Sequence, residues 1–439
     1  MGKLIVTNTS VLLPDMTIAR GQTVETENGI ISAIRPYQEG EEITLSGNKE
    51  TELLDGSRKL LMPGLCDSHM HTGQQLLKGQ ILDALPMIWT RIMLPFESTL
   101  TPEKMELSAE LAALEMIKSG TTSFVDAGSY FMESAADVYL QLRGLLSAST
   151  MDDASLPDVI RHTADQNVAQ TDALYDAYHG KGNLKVAYSL RSLISCTEEL
   201  ILKAAGHAKE RGALLQAHMN EYPNEINFFL QRFGVRPIEY LEKLGVLDER
   251  FLAAHCILLS ENEKDLLKKY NVKTCHCPFS NCGKGIPDTP ALLQRGITVG
   301  LGTDGAAHGG LSLWNEMKIF RSVMNVGRGV GISEAAVMPA AKIIRMATQG
   351  GYDYLHENGG SIAVGKEADF ITISLRQPHL YPTGNLVNTL LECVTAADVC
   401  DNVVRGKILM KDHAVQTLDE AQILAKAERY FEQAEKITP

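Results

Sequence analysis

Nowhere in the 439 residues does an apolar run approach the roughly 20 residues that span a bilayer. The opening Met1-Gly2-Lys3-Leu4-Ile5-Val6-Thr7-Asn8 lacks the apolar stretch of a secretion signal. Gly2 is not followed by the Ser or Thr at position 6 that myristoylation expects, because residue 6 is Val. A cytoplasmic chain with no membrane partner is the expectation. Excess positive charge is missing as well: 41 Lys and Arg face 54 Asp and Glu, a net charge of -13. That balance argues against the phosphate backbone of a nucleic acid as a main partner. The eight cysteines contain no Cys-x-x-Cys spacing, although Cys275, Cys277 and Cys282 cluster and Cys256 follows His255. They read as reduced, partly buried thiols rather than a zinc knuckle or a disulfide framework.

What the chain does have is a pair of histidines one residue apart. His69 and His71 follow the run Leu61-Met62-Pro63-Gly64-Leu65-Cys66-Asp67-Ser68. In an extended strand, residues i and i+2 share a face, so both imidazoles can reach one ion. Imidazole suits zinc and iron. A His-x-His is weak evidence by itself, and its meaning depends on the rest of the chain.

Residues 1–60 carry short apolar runs separated by Gly, Asn, Asp and Glu, including Leu4-Ile5-Val6, Val11-Leu12-Leu13 and Gly29 to Ile34. The far end has similar segments at Ala368 to Ile373 and Val403 to Met410. These two ends, 1–60 and 362–415, are expected to form one small β-sandwich-like domain around a central span of 61–361. An amphipathic helix, with Leu418, Ile423, Leu424, Ala427 and Phe431 as its stripe, is expected within 416–439. Between the ends, helix, glycine and strand repeat. Thr101-Pro102 opens a helix that Gly120 stops, ahead of a strand at Thr122 to Val125. Thr197 opens another, ended by Gly212, and Ala213 to Ala217 runs into His218. A helix from Pro237 to Leu244 precedes Phe251 to Ala254 and His255. Ser260 and Glu263 form a capping box before a strand that ends at His276, and Ile297 to Thr303 leads to Asp304. The alternation predicts a parallel sheet closed as a (β/α)8 TIM-type barrel, with α/β as its class.

The informative regularity is positional. His69, His71, His218, His255 and Asp304 all fall at C-terminal ends of expected strands, which converge on one mouth in such a barrel. Five polar groups gathered there without a partner would be costly to bury. A single divalent cation held by His69, His71, His218 and Asp304, with one position left for water, accounts for them. His255 is either a further ligand or a hydrogen-bond donor that orients water and substrate, and the second role fits a one-metal site better. Glu221, three residues after His218, is placed to carry protons to a ring nitrogen and a leaving amine. Asp304 would accept the proton of the attacking water.

These residues resemble the amidohydrolase superfamily, in its branch of S-adenosylhomocysteine and methylthioadenosine deaminases and related chlorohydrolases. Pro63-Gly64-Leu65 before the His pair, His218-x-x-Glu221, Ala254-His255-Cys256, Cys277-Pro278-x-Ser280-Asn281 and Gly302-Thr303-Asp304-Gly305 match in order, as does Gly365 to Phe370. The resemblance implies one metal ion, usually zinc and sometimes Fe2+, bound by His69, His71, His218 and Asp304, with Glu221 and His255 in proton transfer and orientation. It further implies a glutamate, Glu97, binding a ribose diol, and an arginine near Arg143 contacting substrate, although a second arginine is replaced by Ala148. Homo-oligomers are frequent in the family. Where relatives carry His-Ala-Pro-Tyr, this chain has Arg191-Ser192-Leu193-Ile194, and Arg191 is a candidate for a carboxylate, phosphate or carbonyl oxygen. His308, in Gly305 to Gly310, and Trp89, as part of a lid, are further candidate substrate contacts. The segment Cys282-Gly283-Lys284-Gly285 departs from the family loop.

The expected function is hydrolytic deamination of an amino-substituted nitrogen heterocycle. An adenosine-like small molecule is the leading substrate: S-adenosylhomocysteine, methylthioadenosine, 5'-deoxyadenosine or adenosine. The alternatives are guanine, pterin, cytosine or an s-triazine, the last by deamination or chloride loss. Glu221 favours amine loss, since chloride departs without a proton. A two-metal cyclic amidase lacks a strand-end lysine for a bridge. A silent metabolite-binding relative would be expected to have lost a ligand or the acid, and none is lost.

Overall fold

The computed structural model describes residues 2–41, 51–81, 88–156, 160–334 and 336–433. The first strand, β1 (Lys3–Leu12), joins two apolar runs that look separate in the sequence. Asn8, at φ +51°, puts a bulge between them, and the register against β2 (Ile18–Glu27) slips there. β3 (Ile30–Pro36), β4 (Thr51–Asp55) and β5 (Lys59–Pro63) follow. The expected boundary at 60 falls inside β5. The apolar run Leu60-Leu61-Met62 continues the sheet to Pro63, so the barrel begins only after Gly64.

The central span then gives ten strand segments. They are β6 (Leu65–His71), β7 (Thr121–Asp126), β8 (Arg143–Leu146), β9 (Asn183–Val186) and β10 (Tyr188–Leu190). β11 (Leu215–Met219), β12 (Phe251–His255), β13 (Lys273–His276), β14 (Val299–Leu301) and β15 (Asp304–Gly305) complete them. All pair in parallel, in the orders β15-β6-β7-β8-β9 and β10-β11-β12-β13-β14. Ala187 joins β9 to β10 with its N–H on Leu146, and Gly302-Thr303 joins β14 to β15 with Thr303 N–H on His69. Each joint is a bend in one strand, so the segments make an eight-stranded barrel.

Helices cover the outside, and their ends follow local chemistry. Thr101 accepts from the N–H of Lys104 at the start of Pro102–Ser119, and Gly120 closes that helix at φ +87°. Ser260 and Glu263 make the reciprocal capping box. The short helix Gln349–Tyr354 seals the N-terminal end of the barrel, where buried Tyr352 and Tyr354 pack with Cys66, Val125, Leu145, Leu252 and Cys275. With that end plugged, the barrel opens at the other.

After the barrel, β16 (Phe370–Ser374), β17 (Val399–Val404), β18 (Lys407–Lys411) and β19 (Ala414–Val415) return to the first five strands. They build one hydrogen-bonded nine-stranded sheet in which β16 pairs β5. The sheet has a core of its own, including Leu4, Val6, Val24, Leu61, Phe370 and Val403. The last helix, Glu420–Gln433, lies on Pro102–Ser119 through Lys118–Glu420 (2.7 Å) and Lys426–Glu110 (2.6 Å). The expected helical span to 439 runs beyond the described residues. No helix among the described residues is long and apolar enough to cross a membrane.

Candidate active site

The open mouth collects the strand-end residues. His69 and His71 end β6, His218 lies near the end of β11, His255 ends β12 and Asp304 opens β15. Donor atoms of His69, His218, His255 and Asp304 all lie within 4.8 Å of one another. His71 Nε2 is 3.1 Å from His218 Nε2 and 3.4 Å from Asp304 Oδ1. Two of the five residues adopt left-handed backbone, His255 at φ +69° and Asp304 at φ +61°. Such conformations cost roughly 1–3 kcal/mol each and concentrate at functional sites. Gly302 permits the approach of β14 to β6, since an added Cβ would sit 2.7 Å from the backbone N and O of His69.

Buried groups beneath the cluster set its orientation. Asp67 accepts from Thr303 Oγ1 (2.6 Å), Thr303 N (3.1 Å) and His69 N (3.3 Å), tying β6 to β15. Burial raises its carboxyl to about 7 even so. His255 Nδ1 donates to Asn281 Oδ1 at 3.2 Å, which leaves Nε2 turned to the cluster. His276 Nδ1 bonds the His255 carbonyl oxygen at 2.8 Å, and burial depresses its imidazole to about 4. It is a packed support.

Burial, followed by the neighbouring imidazoles, drives His69 and His218 well below their ordinary range, so both are neutral. Burial opposes ionisation of Asp304, but the hydrogen bond from His71 and the charge of Lys284 outweigh it and hold the carboxylate ionised. Both ring nitrogens of His69 and Nε2 of His255 are buried without a partner. Orphaned imidazole nitrogens around a carboxylate fit a divalent ion that takes nitrogen and oxygen ligands. The expected ligand set included His71 and left His255 aside. Here Arg191 Nη1 meets His71 Nδ1 at 3.0 Å, and a guanidinium can only donate. His71 therefore carries its ring hydrogen on Nε2, facing Asp304, while that contact persists.

Glu221 stands two residues beyond β11, largely buried. Its Oε1 makes a short ion pair with Lys284 Nζ and lies 3.6 Å from His255 Nε2. Burial pushes this carboxyl up, and the electrostatic influence of the adjoining His255 ring and of Lys284 more than reverses that. The cavity above is walled by Ile88, Trp89, Met93 and Ile194, with Arg191, Glu221, Tyr222, Asn224, Lys284 and His308 among its polar lining. Trp89 also packs against Leu94, Tyr130 and Met151, so it serves wall and core together. His308 is buried rather than a surface loop residue, with Nε2 3.9 Å from Asp304 Oδ2.

Two expected substrate contacts are corrected. Arg143 begins β8, and the start of a parallel strand faces the closed end. There it pairs with Glu357 (3.0 Å), Glu367 (2.5 Å) and Asp369 (2.9 Å). Glu97 is 1% exposed, and its Oε1 accepts from Arg191 Nη2 and Gln74 Nε2, both at 2.9 Å. It does not line the cavity: a buried carboxylate needs a cation, and Arg191 supplies it, in the place expected of a ribose diol. Lys284 and Tyr222 are lining residues that motif reading passed over. The departure of Cys282–Gly285 from the family loop was the available signal for Lys284.

The sequence matches the Amidohydrolase family over residues 60–409. It is 34% identical over 399 residues to the 5'-deoxyadenosine deaminase of Methanothermobacter thermautotrophicus, covering 88% of this chain and 90% of that protein. It is 31% identical over 438 residues to the 5-methylthioadenosine/S-adenosylhomocysteine deaminase of Haloarcula marismortui, covering 98% of each. Among solved structures, an adenosine deaminase from Xanthomonas campestris with bound zinc superposes with a TM-score of 0.88 at 24% identity, over 98% of each chain. Atrazine chlorohydrolase from Arthrobacter aurescens complexed with zinc gives 0.87 at 20% identity, over 97% of this chain and 99% of that one. At those identities the two structures speak for the fold alone.

Proposed function

The chain belongs to the amidohydrolase family, and from that premise we propose that it is a zinc-dependent deaminase of adenosine-like compounds. Hydrolytic deamination is its reaction: water and an amino-substituted ring become an oxo-substituted ring and ammonia. 5'-Deoxyadenosine, methylthioadenosine and S-adenosylhomocysteine are the proposed substrates, on the strength of the relatives' names, with adenosine added as the nucleoside they share. The observation that carries the reading is a buried carboxylate, Glu221, beside orphaned imidazole nitrogens at the base of a cavity with apolar walls.

His69, His218 and Asp304 would hold the ion, with a fourth bond from His71 Nε2 once the ring hydrogen has moved to Nδ1 and the Arg191 contact has opened. A divalent ion bound there lowers the pKa of water towards about 7. Ile88, Trp89, Met93 and Ile194 hold the ring and exclude bulk water. Asp304 accepts the proton released as water attacks the carbon bearing the amine. Glu221, ionised at rest, takes one proton from the water and delivers it to the ring nitrogen. The second, held by Asp304, then passes through Glu221 to the departing amine, so that ammonia leaves as a neutral molecule. His255, fixed through Nδ1 by Asn281, presents Nε2 to the reacting groups beside Glu221.

The test is ammonia release by purified, zinc-loaded protein from those four compounds. At least one is expected to turn over, and Glu221→Gln to lower its rate about 10²–10⁴-fold with zinc content unchanged. Ammonia from none of them, or full activity in Glu221→Gln, would overturn the reading.

A further inference from the structure

Lys284 lines the cavity beside Glu221, and the reaction above gives it no task. Its side chain is 6% exposed, and its ammonium meets three acceptors and a ring. Nζ pairs closely with Glu221 Oε1, donates to Ser280 Oγ at 2.6 Å, lies 3.7 Å from Asp304 Oδ2 and stands 5.2 Å above the centre of the Tyr222 ring. Ser280 Oγ in turn donates to Asp304 Oδ2 at 2.5 Å. Lys284 is therefore tied to both carboxylates of the site at once. Its own backbone N–H is pinned to the carbonyl oxygen of Asn281 at 2.8 Å, the residue whose side chain orients His255.

Glu221 depends on this contact. Its backbone is well held: the N–H of Glu221 donates to Glu225 Oε2 (3.0 Å), and the preceding Asn220 is fixed by Glu263 Oε1 (2.8 Å). Its carboxyl has no such support. Among the described residues, Lys284 is the sole hydrogen-bond donor to it. A glutamate side chain with free torsions samples many positions, and a displacement of about 1 Å at a reacting group can lower a rate about 10²-fold.

We propose that Lys284 is a positioning residue: its ammonium, tethered through Ser280 to Asp304, holds the Glu221 carboxylate in line with the ring nitrogen. The inference rests on the deaminase reading above. A substrate contact would show in KM, whereas a residue that positions the proton carrier shows in kcat.

The measurement is steady-state ammonia release by wild type, K284M and K284R, on whichever proposed nucleoside wild type turns over best. Zinc content and Tm are taken alongside. K284M is expected to lose about 30- to 100-fold in kcat, with KM within about twofold and zinc retained. K284R keeps a cation within reach of Glu221 and is expected to recover at least about a third of the logarithmic loss. Should K284M fail to fold, K284Q is read by the same criteria. Undiminished kcat, a loss confined to KM, a loss of zinc that accounts for the rate, or no recovery in K284R would each overturn the role. Silence of wild type on all four compounds would instead overturn the deaminase reading.

Discussion

Arg143 and Arg191 are both buried in the same barrel, at opposite ends of its strands, and their surroundings differ in kind. At the closed end, Arg143 has three carboxylates at ion-pair distance, although Nε and Nη2 lie off the line of a hydrogen bond. Tyr352 donates to Asp369 there (2.7 Å) and lies beneath the guanidinium. At the mouth, Arg191 has one carboxylate, and the groups around it are left wanting: both nitrogens of His69, Nε2 of His255, Oε1 of Gln74 and Oε2 of Glu97. The left-handed residues His255 and Asp304 sit there too. Around Arg143 the charges are set against one another, whereas at the mouth imidazole nitrogens are left for something the chain does not supply. In a barrel whose strands all run one way, stability and chemistry can be placed on opposite faces.

The sharpest way to break that contrast is to mutate each end and measure both properties. At the mouth, His69→Asn is expected to lose bound zinc and at least about 10³-fold in turnover, beyond the 10–100-fold typical of an outer-shell partner. Because neither ring nitrogen bonds to the protein, its metal-free form should unfold within about 1 kcal/mol of the metal-free wild type. At the closed end, Arg143→Met leaves Glu367 and Asp369 without their cation and Glu357 with Lys185 alone. Urea unfolding should reveal a loss of about 3–5 kcal/mol, with kcat of the folded fraction little changed. A mouth variant that unfolds, or a closed-end variant that stays stable and loses turnover, would end the division of labour.

The same contrast marks where sequence reading works. The strand-end rule needs only periodicity and the caps, and Thr101, Gly120 and Ser260 act as their local chemistry dictates. It carried His69, His71, His218, His255 and Asp304 to one mouth, where they lie. It did not carry what depends on pairing across long separations. Glu97 and Arg191 are 94 residues apart and meet only in the folded barrel, so a glutamate expected to face a sugar turned out to serve an arginine. Arg143 was misplaced because its neighbouring residues do not reveal which end of a four-residue strand it occupies. Lys284 was passed over because a lysine among glycines normally reads as a solvated loop residue. Its burial follows from Glu221 and Asp304, 63 residues before it and 20 after. Two runs in β1 looked like two strands because a single left-handed asparagine joins them.

The smallest expected effect tests whether the closed end is as fully paired as Arg143 suggests. Lys273 opens β13 there and donates to His356 Nε2 at 2.6 Å. Among the described residues no carboxylate lies within ion-pair distance of it. Burial lowers its ammonium to about 8, and the more distant charges of Asp353 and Glu249 only partly resist. The unfolded chain holds that proton up to about 10.4. Below about 8 both states are protonated, and the strain of the buried charge is constant. Between about 8 and 10.4 the folded chain has released the proton while the unfolded chain keeps it, so rising pH favours folding. In Lys273→Met that contribution is absent. The Tm of wild type minus that of Lys273→Met should therefore be flat from pH 6 to about 8 and climb by a few degrees towards about pH 10. A difference that stays level across the whole range would mean that Lys273 is as well solvated as an exposed lysine, and that the closed end holds no unpaired charge at all.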